Sequence, residues 1–365
     1  IDQVNKMIDD GAKAVRMDPA EIARWIENLS GSPRHFLAAS ERLANAGEYA
    51  VPQLIHNLSE PKTSAVTRER IITVLPRMGK DAVRPLCESL AVSDPAVKEI
   101  ICQALGKIGY KHAGPYLKEL AETKGMMDRT REAALNALAA CDPRGLKKTV
   151  AQLFYEAALK YYHNDESVSA DSRYDTANVW YWQEGLGLTY KVVPSAIFGE
   201  IYAMRSAQAA LRHDPGLSPA VTVWLAANLR KEAAIASGVV DPLRAPEDPA
   251  ADFYALAASA KNLQAVLDMA LREAHTAVAI RAISALARTA GAENLIAAVP
   301  EGPQPLVAAL TYPAREVRYM AAETLALARP TKPFSGSDLV VRALIEAVRR
   351  TGVPVAVLAD PDQQH

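Results

Sequence analysis

The chain is poor in cysteine, with three residues in 365: Cys87, Cys102 and Cys141. An odd, sparse count argues against a disulfide framework, and no pair shows metal-ligand spacing. Each cysteine falls on the apolar face of a predicted helix. This fits a reducing compartment, although a cysteine-poor exported protein would look the same. Long apolar runs are also missing: none reaches the ~18 residues that span a bilayer, and no signal peptide is visible. The chain opens on Ile1 rather than methionine, the pattern of a processed protein or an excised fragment. Excess charge is lacking too. Lys plus Arg (41) nearly cancels Asp plus Glu (42), so nothing draws the chain as a whole to nucleic acid or acidic membranes, and only a local patch could do so. Catalytic signatures are absent: there is no G-x-S-x-G, H-E-x-x-H, C-x-x-C, P-loop or G-x-G-x-x-G. The seven histidines are scattered. We therefore name no catalytic, cofactor-binding or metal residues, and no cofactor.

Repetition is what the chain does have. Gly47 opens "GEYAVPQL", Gly79 "GKDAVRPL" and Gly109 "GYKHAGPYL". After each glycine, an alanine and then a proline lead into a short amphipathic helix. Glycine suits a left-handed helix end, and proline suits the first turn of the next helix. Between the glycines runs a second helix. In "SDPAVKEIICQALGKIG" Asp94 can cap, Pro95 starts the turn, and Val97, Ile100, Ile101, Ala104, Leu105 and Ile108 form one stripe. "VTRERIITVLPRMG" (66–79) and "DRTREAALNALAAC" (128–141) repeat it.

These segments resemble the HEAT repeat, in particular its bacterial HEAT-like form. The resemblance rests on the acidic/Pro turn, the Val97-Lys98 step and the Ala104-Leu105 pair before the glycine. It returns in "TAVAIRAISALARTAG" (276–291) and "YPAREVRYMAAETLALA" (312–328), where Arg281 and Arg318 are the basic residues. "SDLVVRALIEAVRR" (337–350) looks like the first helix of a further repeat. The implied fold is all-α, an α-solenoid of HEAT-like helical hairpins. Residues 1–47 read as an N-terminal helical cap, with Asp18 capping a helix and Trp25 facing inward. Residues 48–148 and 250–350 read as the two HEAT-like arrays.

Residues 149–240 depart from that period. "FGEIYAMRSAQAALRHDP" (198–215) carries Ala203, Ala207, Ala210, Leu211 and Pro215 at offsets that resemble the second helix of a tetratricopeptide repeat. Its partner is the helix Thr149–Tyr162. "SPAVTVWLAANLRKEAA" (218–234) looks like the first helix of another such unit. Lys147, Lys148, Arg212, Arg230 and Lys231 are placed near helix ends, where they complement the dipole. Between the paired helices sits an insertion, 164–193. It begins as a polar loop whose Asp165, Glu166, Asp171 and Asp175 lack calcium-loop spacing, so we read a solvated loop. It continues as "NVWYWQEGLGLTYKVVP", an inserted β-hairpin with a five-residue loop, Gln183 to Gly187. Trp180 and Trp182 share one face, and Val179 and Tyr181 the other.

Of 22 aromatic residues, 11 fall between Phe154 and Tyr202. Such a concentration reads either as a local core or as an exposed recognition ridge. On the second reading the candidate partner-binding residues are Trp180, Tyr181, Trp182 and Tyr190. The tail, 351–365, carries "VAVLA" with Asp360 and Asp362. It resembles the start of a receiver-like domain, or else is an apolar tail. Three functions follow as expectations. The first is a non-enzymatic scaffold for a protein or peptide partner. The second is a HEAT-type enzyme, such as a chromophore lyase or DNA-repair glycosylase, which needs a polar cluster inside the array. The third is nucleic-acid binding, which needs a basic stripe.

Overall fold

A computed structural model describes residues 2–296, 304–334 and 336–349. The tail 351–365 lies outside them. Two compact units divide the chain: residues 1–220 with 239–245, and residues 221–238 with 246–365.

The first unit opens with α1 (Asp2–Met17), α2 (Pro19–Asn28) and α3 (Pro33–Ala46). The Asp18 carboxylate accepts from the Ala20 N–H at 2.8 Å, and Trp25 is buried, as the sequence predicts. Short helical pairs follow: α4 (Val51–Ser59), α5 (Ala65–Val74), α6 (Val83–Ser89), α7 (Pro95–Ile108), α8 (Gly114–Glu122) and α9 (Asp128–Cys141). They alternate between two layers, with α3, α5, α7 and α9 in one and α4, α6 and α8 in the other. One apolar core runs between the layers and takes in all three cysteines. Asp94 caps α7 through the Ala96 N–H at 2.8 Å. One segment differs from its expected form. α5 stops at Val74 and continues as a 3-10 stretch, Leu75–Ala82, because Pro76 lacks the N–H a continuing α-helix needs.

The basic residue of the repeat has a visible task. Arg68 donates to the Glu60 carbonyl at 2.6 Å, Arg131 to Met126 at 3.2 Å, and Arg318 to Tyr312 and Pro313, both at 2.8 Å. Each long side chain reaches back to satisfy carbonyls of the turn before its own helix, groups that helix ends leave without an internal partner. The repeated glycines all adopt positive φ: 59° at Gly47, 66° at Gly79 and 68° at Gly109. At Gly79, with ψ −152°, a Cβ would meet no atom within 4 Å. Gly79→Ala thus imposes backbone strain with no clash. It is expected to lower stability by roughly 1–3 kcal/mol, read as a denaturation midpoint shift at unchanged slope.

α10 (Val150–Tyr162) starts with a capping box between Thr149 and Gln152. It packs along α11 (Ser195–His213), with Ala157, Ala158, Ala203, Ala207 and Ala210 buried. Between them lies one antiparallel pair, β1 (Thr176–Gln183) and β2 (Gly187–Pro194), in the register Trp180↔Tyr190 and Trp182↔Leu188. Gln183 and Gly187 are paired, so the loop is three residues rather than five. The Leu186 N–H donates to the Gln183 carbonyl, and Gly185 takes φ 81°, as the third position of a type II turn requires.

α12 (Ser218–Ala236) runs past Arg230 and Lys231, so these sit inside the helix and not at its end; Arg230 meets His275 Nε2 at 3.3 Å. The second unit adds α13 (Ala251–Ala257), α14 (Ala260–Arg272), α15 (Thr276–Thr289), α16 (Ala292–Ile296), α17 (Pro305–Ala308), α18 (Arg315–Ala328) and α19 (Ser337–Arg349). There α15 packs against α14 and α18, and α18 against α19, around Leu267, Ile283, Leu286, Val317 and Leu325. Arg281 pairs with Asp252 at 2.9 Å.

A candidate binding cleft at the repeat turns

Stacked repeats bring equivalent turns side by side. The turns entering α4, α6 and α8, with the first turn of α6, carry polar residues near the repeated alanine: Glu48 and Tyr49, then Asp81 and Arg84, then Tyr110 and His112. The turns lie close enough that a Cβ on Gly47 would sit 3.3 Å from that of Asp81. They form one wall of a cleft of about 450 Å3, and the inserted loop, residues 166–174, with the start of β1 forms the other. Lys13 and Arg16 of α1 close one side.

Residues 51–152, which span most of these turns, match the family of HEAT repeats. No curated protein matches the chain. The HEAT match agrees with the two-layer packing, and the hairpin is an addition to it. β1 leans on α6, β2 on α4 and α6, and their opposite face rests on α11. The insertion therefore occupies the α4–α6 side of the HEAT repeats.

The four aromatic candidates lie at different depths. Trp180 is fully buried and joins the HEAT core. Trp182 and Tyr190 are half-buried against that core, with Tyr190 packed edge-on to Tyr49 at 6.1 Å. Tyr181 is half-buried on the other face, beneath the Arg205 guanidinium at 4.5 Å. None of the four lines the cleft.

Two polar networks hold the hairpin in place. In the first, the Glu48 carboxylate accepts from Trp180 Nε1 and Asn178 Nδ2, each at 2.7 Å. Burial pushes the Glu48 pKa up, opposed by these two hydrogen bonds. In the second, α11 caps the outer edge of β1. The Trp180 N–H donates to Tyr202 Oη at 3.2 Å, and its carbonyl accepts from Arg205 Nη1 at 2.8 Å. Arg205 also pairs with Glu88 at 2.9 Å. Side chains thus satisfy backbone groups that an open strand edge would expose.

The cleft floor holds a third network that nothing in the repeat pattern announces. Arg84 donates through Nε to Tyr161 Oη at 3.2 Å and through Nη2 to the Val168 and Ser169 carbonyls. It lies over the Phe198 ring at 4.8 Å. Tyr161 Oη also meets His112 Nε2 at 2.9 Å. That oxygen accepts from Arg84, and its own proton is free to be donated to an unprotonated His112 Nε2. Burial, with Arg84 nearby, pulls the His112 pKa down to about 3. The inserted loop is correspondingly less solvated than its composition implied. Val168 is buried, and Tyr110 Oη donates to the Ser167 carbonyl at 2.7 Å. Its acidic residues serve the loop: Asp165 accepts from the Ser167 N–H at 2.9 Å and Asp171 pairs with Arg173 at 2.6 Å. Among the described residues no His/Cys/Asp/Glu group has metal-site geometry, and no helix is long and apolar enough to cross a membrane.

Position within the repeat was the signal for Glu48, Arg84 and His112. Glu48 and His112 lie in turns entering α4-layer helices and Arg84 in the first turn of α6, so the stacking of the repeats brings all three to one end. Individually they are unremarkable polar residues at helix starts.

Proposed function

We propose that this chain is a non-enzymatic interaction scaffold and that a segment of a protein or peptide partner seats in the cleft. HEAT repeats are in general elements of protein-interaction scaffolds, and residues 51–152 match them. The cleft itself carries the reading. Its volume of about 450 Å3 lies within the ~300–1,000 Å3 of ligand pockets. Lys80, Asp81 and Ser172 are exposed at its walls, while its floor is fixed by the Arg84 network. The floor suits binding better than proton transfer. A general base works best with a pKa near the operating pH, and His112 is held at about 3. Glu48 commits both oxygens to the hairpin. The alanine-lined pairing of α10 with α11 supports a tetratricopeptide-like unit beside the HEAT array, which would add a second helical surface to the scaffold.

The test is photocrosslinking from two exposed positions in extract of the source cells. A benzoylphenylalanine replacing Ser172 reports on the cleft, and one replacing Lys107 reports on the outer surface of α7. The expected result is a discrete protein adduct at 172, absent at 107 and lost when Ala170→Trp fills the cleft. Adducts at 107 alone would move the interaction to the other layer. No adduct at either position would remove the proposal.

A further inference from the structure

We infer that the cleft is built to receive an oxyanion, the carboxylate or phosphoryl group of an acidic peptide segment. The inference rests on the scaffold reading and specifies its partner.

Charge within the cleft is unlike that of the chain. Five basic and four acidic side chains line it. Asp171 pairs with Arg173, which leaves Lys13, Arg16, Lys80 and Arg84 against Glu48, Asp81 and Glu166, an excess of one positive charge. No ion pair ties any of these four cations to an acid among the described residues. Lys13 lies over the Tyr174 ring at 4.5 Å, and Arg16 donates through Nη2 to Tyr174 Oη at 2.7 Å. A chain with formal net charge −1 thus concentrates positive charge at one concavity.

Donor geometry narrows the ligand further. The Nε and Nη2 groups of Arg84 are engaged, whereas Nη1 makes no hydrogen bond and lies on the cleft side. Arg16 Nε is buried with no hydrogen-bond partner. The remaining Arg84 Nη1 and the Arg16 guanidinium line the same cleft and define a place for an oxygen atom. A charged carboxylate or phosphoryl oxygen takes a single guanidinium donor in a charge-assisted hydrogen bond, stronger than a neutral acceptor would make. Arg84 is also prepositioned: its Nη2 bonds to the inserted loop and its stacking on Phe198 fix the plane of the guanidinium before a ligand arrives.

The experiment measures fluorescence anisotropy with the full chain and three labelled peptides of one frame: glutamate-bearing, phosphoserine-bearing and lysine-bearing. Inorganic phosphate is the competitor that represents a free anion. An acidic probe should bind, weaken as salt rises, and bind about tenfold more weakly to Lys80→Glu or Arg16→Gln. Lys107→Glu on α7 should change nothing. Lys80 is exposed, so its variant tests the site without endangering the fold. The glutamate and phosphoserine arms separate a carboxylate from a phosphoryl group. Full displacement by millimolar phosphate would assign the site to a free anion and overturn the peptide assignment. Equal binding of the lysine-bearing probe, or indifference to both cation substitutions, would overturn the inference. A partner adduct at position 172 combined with no acidic preference would defeat this inference alone. Acidic binding without any adduct would defeat the scaffold reading alone.

Discussion

Trp180→Ala is expected to lower the stability of the first unit by roughly 3–5 kcal/mol, the range for truncating a large buried aromatic side chain. Three losses coincide. The indole is fully buried in the HEAT core, and alanine leaves a cavity between β1 and α6. Its ring packs on Tyr190 at 4.8 Å, so the cross-strand pair that fixes the register is lost. Its Nε1 donates to Glu48, and the variant leaves that carboxylate with one side-chain donor in place of two. Trp180→Phe fills most of the space but not the hydrogen bond, and should cost distinctly less than alanine. The check is chemical denaturation of the full chain followed by tryptophan-independent circular dichroism. An alanine effect below about 1 kcal/mol would show that the hairpin is not part of the core. By the same logic, deletion of residues 164–193 is expected to unfold the unit, because it uncovers the α4 and α6 faces and strips Arg84 of two acceptors.

The architecture was legible because it rests on short-range rules repeated many times. Asp94 and Pro95 announce a helix start, Gly109 announces its end, and the stripe from Val97 to Leu105 assigns the buried face. The hairpin was legible from alternation, yet its length was misjudged: Gln183 and Gly187 look like loop residues by composition, but both pair in the ladder. The fate of the aromatic candidates was not legible. Alternation says that Trp180 and Trp182 share a face but not what that face meets, because the partners, Glu48 and α6, lie more than ninety residues away in sequence. The cleft was hidden for the same reason. Arg84 looks like one more basic residue until the loop carrying Val168 and Ser169 folds onto it.

Arg84→Met should be comparably damaging, at roughly 3–5 kcal/mol, and it should also change a titration. Hydrogen bonds to a charged group contribute about 1.5–3 kcal/mol each, and methionine leaves Tyr161 Oη and the Val168 and Ser169 carbonyls short of a donor. The second consequence concerns His112. Its pKa is depressed to about 3, first by burial and then by repulsion from Arg84 and Lys160. Because the folded value lies below the ordinary 6.5, the unfolded chain takes up this proton first as pH falls. The His112 contribution to stability is therefore complete above pH 6.5 and is lost progressively as pH falls toward 3. Glu48 and Glu88, both shifted upward by burial, act in the opposite sense, favouring the folded state as pH falls toward the ordinary carboxylate value of 4.5. The histidine is isolated by comparing wild type with His112→Gln, whose amide oxygen can accept the Tyr161 hydroxyl without titrating. That variant should be less sensitive to acid between pH 6.5 and 3. In Arg84→Met, NMR titration should place the His112 pKa above its wild-type value, since one of the two named repulsions is gone. An unchanged His112 titration in a folded Arg84→Met protein would break the Arg84–Tyr161–His112 chain, and with it the argument that the cleft floor is electrostatically fixed.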